Sequence, residues 1–141
     1  MARDILVTVR GKQINQKEPE DTNTSEIVTN GKFHSKDENF FISYSTIEED
    51  KSVTNNLIKV EKDKIEVIKK GSINSKMVFK KGQKNLTNYV TTFGTIEIRF
   101  ITNNILIKET DAGLQIDLDY VLEFTRDYKY DCKINVGVQY K

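Results

Sequence analysis

Few residues in this chain are suited to chemistry. Among its 141 residues His34 is the one histidine and Cys132 the one cysteine. A Ser-His-Asp or Cys-His arrangement would rest on His34 alone, and a zinc site normally draws several His or Cys ligands. Asp117 and Asp119 share one face of an alternating segment. Carboxylates of this kind hold Mg²⁺ or Ca²⁺, or act as the acid and base of glycoside hydrolysis. Glycosidase pairs, however, face each other across a cleft from different elements, and alternating carboxylates on a polar strand face form a solvated surface. No glycine-rich strand-to-helix phosphate loop is present. The residue inventory therefore predicts a protein that is not an enzyme and that uses no metal and no cofactor. Cys132 lies on the apolar register of its segment and reads as a small buried hydrophobe rather than a reactive thiol.

Charge is the second uneven feature. The net charge is only +1, yet no acidic residue occurs between Val67 and Ile96. That window carries Lys69, Lys70, Lys76, Lys80, Lys81 and Lys84. Neighbouring hairpins of a meander adjoin in space, so these lysines are expected to share one region of the wall or rim. Such a region concentrates anions: an acidic ligand, a phosphate chain or RNA. The competing explanation is a solvated lysine edge that discourages strand-to-strand aggregation. Nucleic acid is disfavoured, because the window holds no arginine and its aromatics, Phe79, Tyr89 and Phe93, occupy core or corner positions.

The elements that must position these residues are strands. From Leu114 the even positions run Leu114, Ile116, Leu118, Tyr120, Leu122 and Phe124, with Gln115, Asp117, Asp119, Val121 and Glu123 between them. After Arg126–Asp127, expected to be a very short turn, the pattern restarts with Tyr128, Tyr130, Cys132, Ile134, Val136, Val138 and Tyr140. A spacing of two puts one set of side chains in the dry face of a strand and the other in water. Further strands are predicted over Asp4–Asn15, Glu26–Lys36, Asn39–Glu48, Thr54–Lys62, Lys64–Lys70, Ile73–Lys81, Leu86–Phe93, Thr95–Thr102 and Ile105–Thr110. Gln16–Thr24 is read as a polar loop, and Asn103–Asn104 and Asp111–Gly113 as tight turns. No segment holds a 3.6-residue period over three turns. The chain is thus a single all-β domain over 1–141, an antiparallel meander of about eight to ten strands. Long strands curl, and closing the sheet into a barrel removes its edges, so a barrel is preferred to a sandwich.

The block from Gly71 to Gly94 reads Gly-x7-Phe-x2-Gly-x6-Tyr-x3-Phe-Gly, through Gly71, Phe79, Gly82, Tyr89, Phe93 and Gly94. Downstream of Gly113 comes Ile116-x-Leu118-x-Tyr120-x-Leu122; upstream are Thr29-x-Gly31 and Ile42-Ser43-Tyr44. This set and its order resemble the YwiB-like family, small bacterial proteins of unknown function. Tyr89–Gly94 is its most specific part. The resemblance implies a calycin-type, lipocalin-like β-barrel and a cytoplasmic bacterial origin, and it carries over no catalytic or binding residue. Physically, Phe93-Gly94 is expected at a sharp bend between strands, with a packed aromatic and a glycine that permits positive φ or close backbone approach.

Three functional classes follow. A barrel of this size can hold a small apolar or amphiphilic anionic ligand. Tyr89, Phe93, Tyr120, Phe124 and Tyr130 are then candidates for the lumen, and the Lys69–Lys84 region for an anionic head. Alternatively, seven Phe and six Tyr are enough to fill the lumen, and the protein acts through a homodimer or a protein partner. An enzyme rests on fold analogy alone. Apolar runs are too short to span a membrane, no signal sequence is evident, and a lone cysteine suits a reducing cytoplasm.

Overall fold

The computed structural model describes residues 2–71, 74–125 and 128–141, and leaves the side chains of Tyr89, Thr91 and Thr125 outside the description. The expected turn at Arg126–Asp127 lies outside the described residues. Ten strands follow one another: β1 (Arg3–Asn15), β2 (Thr22–Lys36), β3 (Asn39–Ile47), β4 (Val53–Val60), β5 (Lys64–Lys70), β6 (Ser75–Lys80), β7 (Lys84–Thr91), β8 (Gly94–Thr110), β9 (Gly113–Thr125) and β10 (Tyr128–Tyr140). They form one antiparallel sheet in the order β6-β5-β4-β3-β2-β1-β10-β9-β8-β7. Sequence neighbours pair except β6 with β7, and β1 closes onto β10 from Ile5↔Tyr140 to Asn15↔Tyr130. This is the up-and-down order of lipocalin-like barrels.

The barrel is nearly, not fully, closed. Between β6 and β7 a single bridge, Asn74↔Val90, replaces a ladder. Side chains complete the seam: Asn85 Nδ2 donates to the Val78 carbonyl at 2.8 Å and Thr87 Oγ1 to the Lys76 carbonyl at 2.6 Å. Polar side chains thus satisfy backbone carbonyls that a strand partner would otherwise take.

Alternation decides what is inside. On β9 the even positions Leu114, Ile116, Leu118, Tyr120 and Leu122 are buried, and they meet Cys132, Val136 and Val138 of β10 on the same face. Ile5 and Val7 of β1, Ile42 of β3, Ile58 and Val60 of β4 and Ile65 of β5 complete the wall of the core. Burying each large apolar side chain contributes about 1.5–3 kcal/mol, which makes this register costly to slip. One end is stoppered by Phe33, which meets Phe40 at 5.5 Å and Tyr140 at 5.4 Å between ring centroids, with the Arg3 guanidinium 4.2 Å from the Tyr140 ring centre.

Asn103–Asn104 is not a turn. β8 runs unbroken through it, with a register shift against β9 between Thr102 and Asn104. Such a bulge keeps the chain direction and swaps the faces. Inward residues are therefore even before it (Ile98, Phe100, Thr102) and odd after it (Ile105, Ile107).

The outer face is largely wet. Leu106, central to an apolar run, is 57% exposed, while half-buried Phe41 lies against the His34 ring opposite it. Among the described residues no helix is long and apolar enough to cross a membrane.

Candidate functional site

The stoppered end and the middle of the barrel are filled; the remainder of the lumen is not. Phe79, Phe100 and Tyr120 pack edge to face or tilted, with Phe79 at 5.0 Å from each of the other two rings. Phe79 and Tyr120 form the floor of a cavity of about 710 Å³. Its apolar wall is Val9, Ile27, Val67, Met77 and Ile134; its polar wall includes Gln13, Ser25, Thr29, Tyr44 and Asn56. The volume lies within the range of small-molecule sites, about 300–1,000 Å³.

Lys69 brings a cation into this space. It pairs with Asn56 on β4 and Ser75 on β6, and Tyr44, the β3 partner of Asn56, lies one strand further, all on the inner face. Lys69 is half-buried, and no ion pair to it is formed among the described residues. Asn56 Nδ2 donates to the Tyr44 and Thr54 carbonyls and to Thr46 Oγ1, at 3.3–3.4 Å. Burial pushes the Tyr44 hydroxyl up to about 12, so it stays neutral and polar at physiological pH. Among the described residues the one carboxylate lining the cavity is that of Glu48, which accepts from Thr46 Oγ1 at 3.2 Å.

The sequence candidates are placed as follows. Tyr120 lines the lumen. Phe124 and Tyr130 stand edge to face at 5.8 Å beside the end of β1, where Tyr130 pairs with Asn15; they flank the cavity without lining it. Phe93 belongs neither to the lumen nor to a packed corner: it is 99% exposed at the tip of the β7–β8 hairpin. Gly94 has φ +134° with open space around its α-carbon, so backbone conformation and not close approach requires glycine there. The Tyr89 side chain lies outside the described residues.

The lysines divide between the two faces of the wall. Lys69 points inward; Lys70 and Lys76 lie on the outer face and are exposed, Lys80 is outward and half-buried, and Lys81 is in the loop that follows. Carboxylates run between them: Glu66 lies 3.5 Å from Lys64, whose pairing with Glu61 raises its pKa, and Glu123 is 3.8 Å from Lys84. The lysine run is thus not one continuous patch. Sequence reasoning missed Asn56, Tyr44 and Thr29 as cavity residues. Their inward alternation was readable, but only the strand register shows that they converge near Lys69.

Cys132 is buried, and burial first of all pushes its thiol up to about 11. The Asp117 carboxylate accepts from Asn135 Nδ2 on the outer face, and Asp119 faces Lys133 across the β9–β10 ladder. Among the described residues no group of three or more His, Cys, Asp or Glu could hold a metal ion.

These features define an antiparallel barrel, without a helix among the described residues, stoppered at one end and hollow toward the other. A family model described as a domain of unknown function, DUF1934, matches residues 7–136, and the chain belongs to that family. A solved structure, the crystal structure of ywiB protein from Bacillus subtilis, superposes with a TM-score of 0.87 at 16% identity, covering 99% of this chain and 93% of that one. That likeness shows the shared fold. No curated protein matches.

Proposed function

We propose that this protein is a non-catalytic binding module that holds a small amphiphilic anion in its lumen. The carrying observation is the cavity of about 710 Å³ with an aromatic floor and the Lys69 side chain entering from the wall. The apolar body of a ligand rests on Phe79, Tyr120, Val67 and Met77, and its anionic head meets Lys69 and the amide and hydroxyls around it. An ammonium in a partly desolvated pocket attracts an anion more strongly than one in bulk water. Its lone buried cysteine suits a reducing, cytoplasmic setting.

Native mass spectrometry of gently purified protein, followed by titration with dodecanoate, tests this. A ligand mass that is lost on denaturation, and a melting temperature raised by dodecanoate but not by its methyl ester, support it. A bare protein mass together with a melting temperature unmoved by dodecanoate would sink it.

A further inference from the structure

The pairing of β2 with β3 stops at Gly31↔Tyr44, although β2 begins at Thr22 and β3 continues to Ile47. Over residues 22–30, β2 is held by β1 on one side. On its other side no backbone hydrogen bond reaches another element, among the described residues. A strand turns the N–H and C=O of alternate residues to each side, so this stretch presents a row of free donors and acceptors. Exposed edges are normally guarded by lysine, proline or a bulge. Residues 22–30 contain no lysine and no proline, and their one charge, Glu26, already accepts from Arg10 Nε at 2.7 Å.

The unpaired edge borders a slot through the wall. The lumen cavity and a second, outer cavity of about 680 Å³ meet there, sharing Thr29, Tyr44, Ser45 and Asn56. Behind the slot the inward-facing cation is Lys69, whereas Lys12 and Lys133 stand on the outer face of the wall; among the described residues Glu48 is the one carboxylate that lines the lumen.

We propose that this slot is a strand-addition site for an extended acidic peptide. The peptide backbone pairs with residues 22–30 of β2, and its alternate side chains enter the lumen, where their carboxylates face Lys69. An extended polypeptide is the occupant that satisfies both rows of backbone groups. A second copy fits worse. Antiparallel self-pairing centred on this stretch sets Glu26 opposite its own copy, and like charges directly opposite destabilise a ladder.

The test uses the full chain and a fluorescein-labelled peptide of about eight residues alternating Val and Glu, with a Val/Lys peptide as its counterpart. Fluorescence anisotropy is expected to show binding of the Val/Glu peptide alone, with amide hydrogen exchange slowed within residues 22–30. Lys69→Glu is expected to weaken the Val/Glu peptide roughly ten-fold and to admit the Val/Lys peptide. Absence of binding by the wild-type chain overturns the proposal, as does protection that falls elsewhere. Protection of 22–30 in the free protein that fades on dilution also overturns it, in favour of self-pairing. Because hydrogen exchange reads the strand edge, failure of dodecanoate to bind leaves this result standing.

Discussion

Lys69 lies directly opposite Asn56 across the β4–β5 ladder, with both side chains on the lumen face. Asn56 is 4% exposed and held by three acceptors, so it is a fixed amide beside a more mobile ammonium. The pair is a preformed polar corner facing the apolar side of the cavity, Val67, Met77 and Phe79.

Lys69→Met keeps the length of the side chain and removes its charge. The expected outcome is a drop in dodecanoate affinity of roughly ten-fold, with the melting temperature of the free protein little changed. Isothermal titration at two salt concentrations checks it. Wild-type binding weakens with salt and the variant's does not. An unchanged affinity would remove Lys69 as the anion contact.

Thr102 is fully buried at the β8 bulge, and its Oγ1 has no hydrogen-bond partner among the described residues. Its backbone is well used: Gly82 N donates to its carbonyl at 2.8 Å, and its own N–H donates to Gln83 at 3.2 Å. A buried unsatisfied hydroxyl costs about 1–3 kcal/mol. Thr102→Val keeps the β-branched shape and the backbone bonds, and is expected to raise stability by about 1 kcal/mol. Urea unfolding measures it; a destabilised variant means the hydroxyl is satisfied after all.

The same bulge shows where sequence reading fell short. The alternation was plain over Leu114–Leu122 of β9 and Tyr130–Val138 of β10, where every second residue is apolar and the ladder between the two strands is regular. Asn103–Asn104 has the composition of a tight turn, and composition does not distinguish a chain that reverses from one that skips a residue. Phe93 was misplaced for a related reason. Hydrophobicity says that an aromatic prefers burial, but at the hairpin tip Phe93 is left exposed to solvent. The cavity was legible only in outline. Lys69 stood out as part of a lysine run, whereas its turn toward the lumen, away from Lys70 and Lys76, depends on a register that β4 and β6 impose.

Two buried acids set an alkaline limit. The pKa of Cys132 is raised from 9.0 to about 11 and that of Tyr44 from 10.0 to about 12, both chiefly by burial. A raised folded-state pKa contributes stability that is intact below the unfolded value and is lost as pH climbs through the folded one. Stability is therefore expected to hold to about pH 9 and to decline from there toward pH 12, with the Cys132 contribution going first. Tyr44→Phe flattens the upper part of that decline and Cys132→Ala the lower part. Urea midpoints taken across the alkaline range check the order. A flat profile to pH 12 would mean that neither group is shielded.

Gly31 is the last β2 residue to pair with β3, and a side chain there has no room. An added Cβ would come within 2.5 Å of the Ser43 carbonyl oxygen and 2.9 Å of Val7 Cγ2. Backbone and core both press on the position, so Gly31→Ala must push β3 away from β2 or shift Val7. Overpacking of this kind costs about 1–3 kcal/mol. Gly137 provides the control, since its nearest neighbours, from Thr8, lie at 3.9 Å. Gly137→Ala is expected to stay within about 0.5 kcal/mol of wild type. Hydrogen exchange separates a global loss from a local one. If Gly31 is the clasp at the head of the slot, its alanine variant exchanges faster at Ser43 and Tyr44 than the fall in global stability accounts for. A uniform rise in exchange across the sheet would make Gly31 an ordinary packing position.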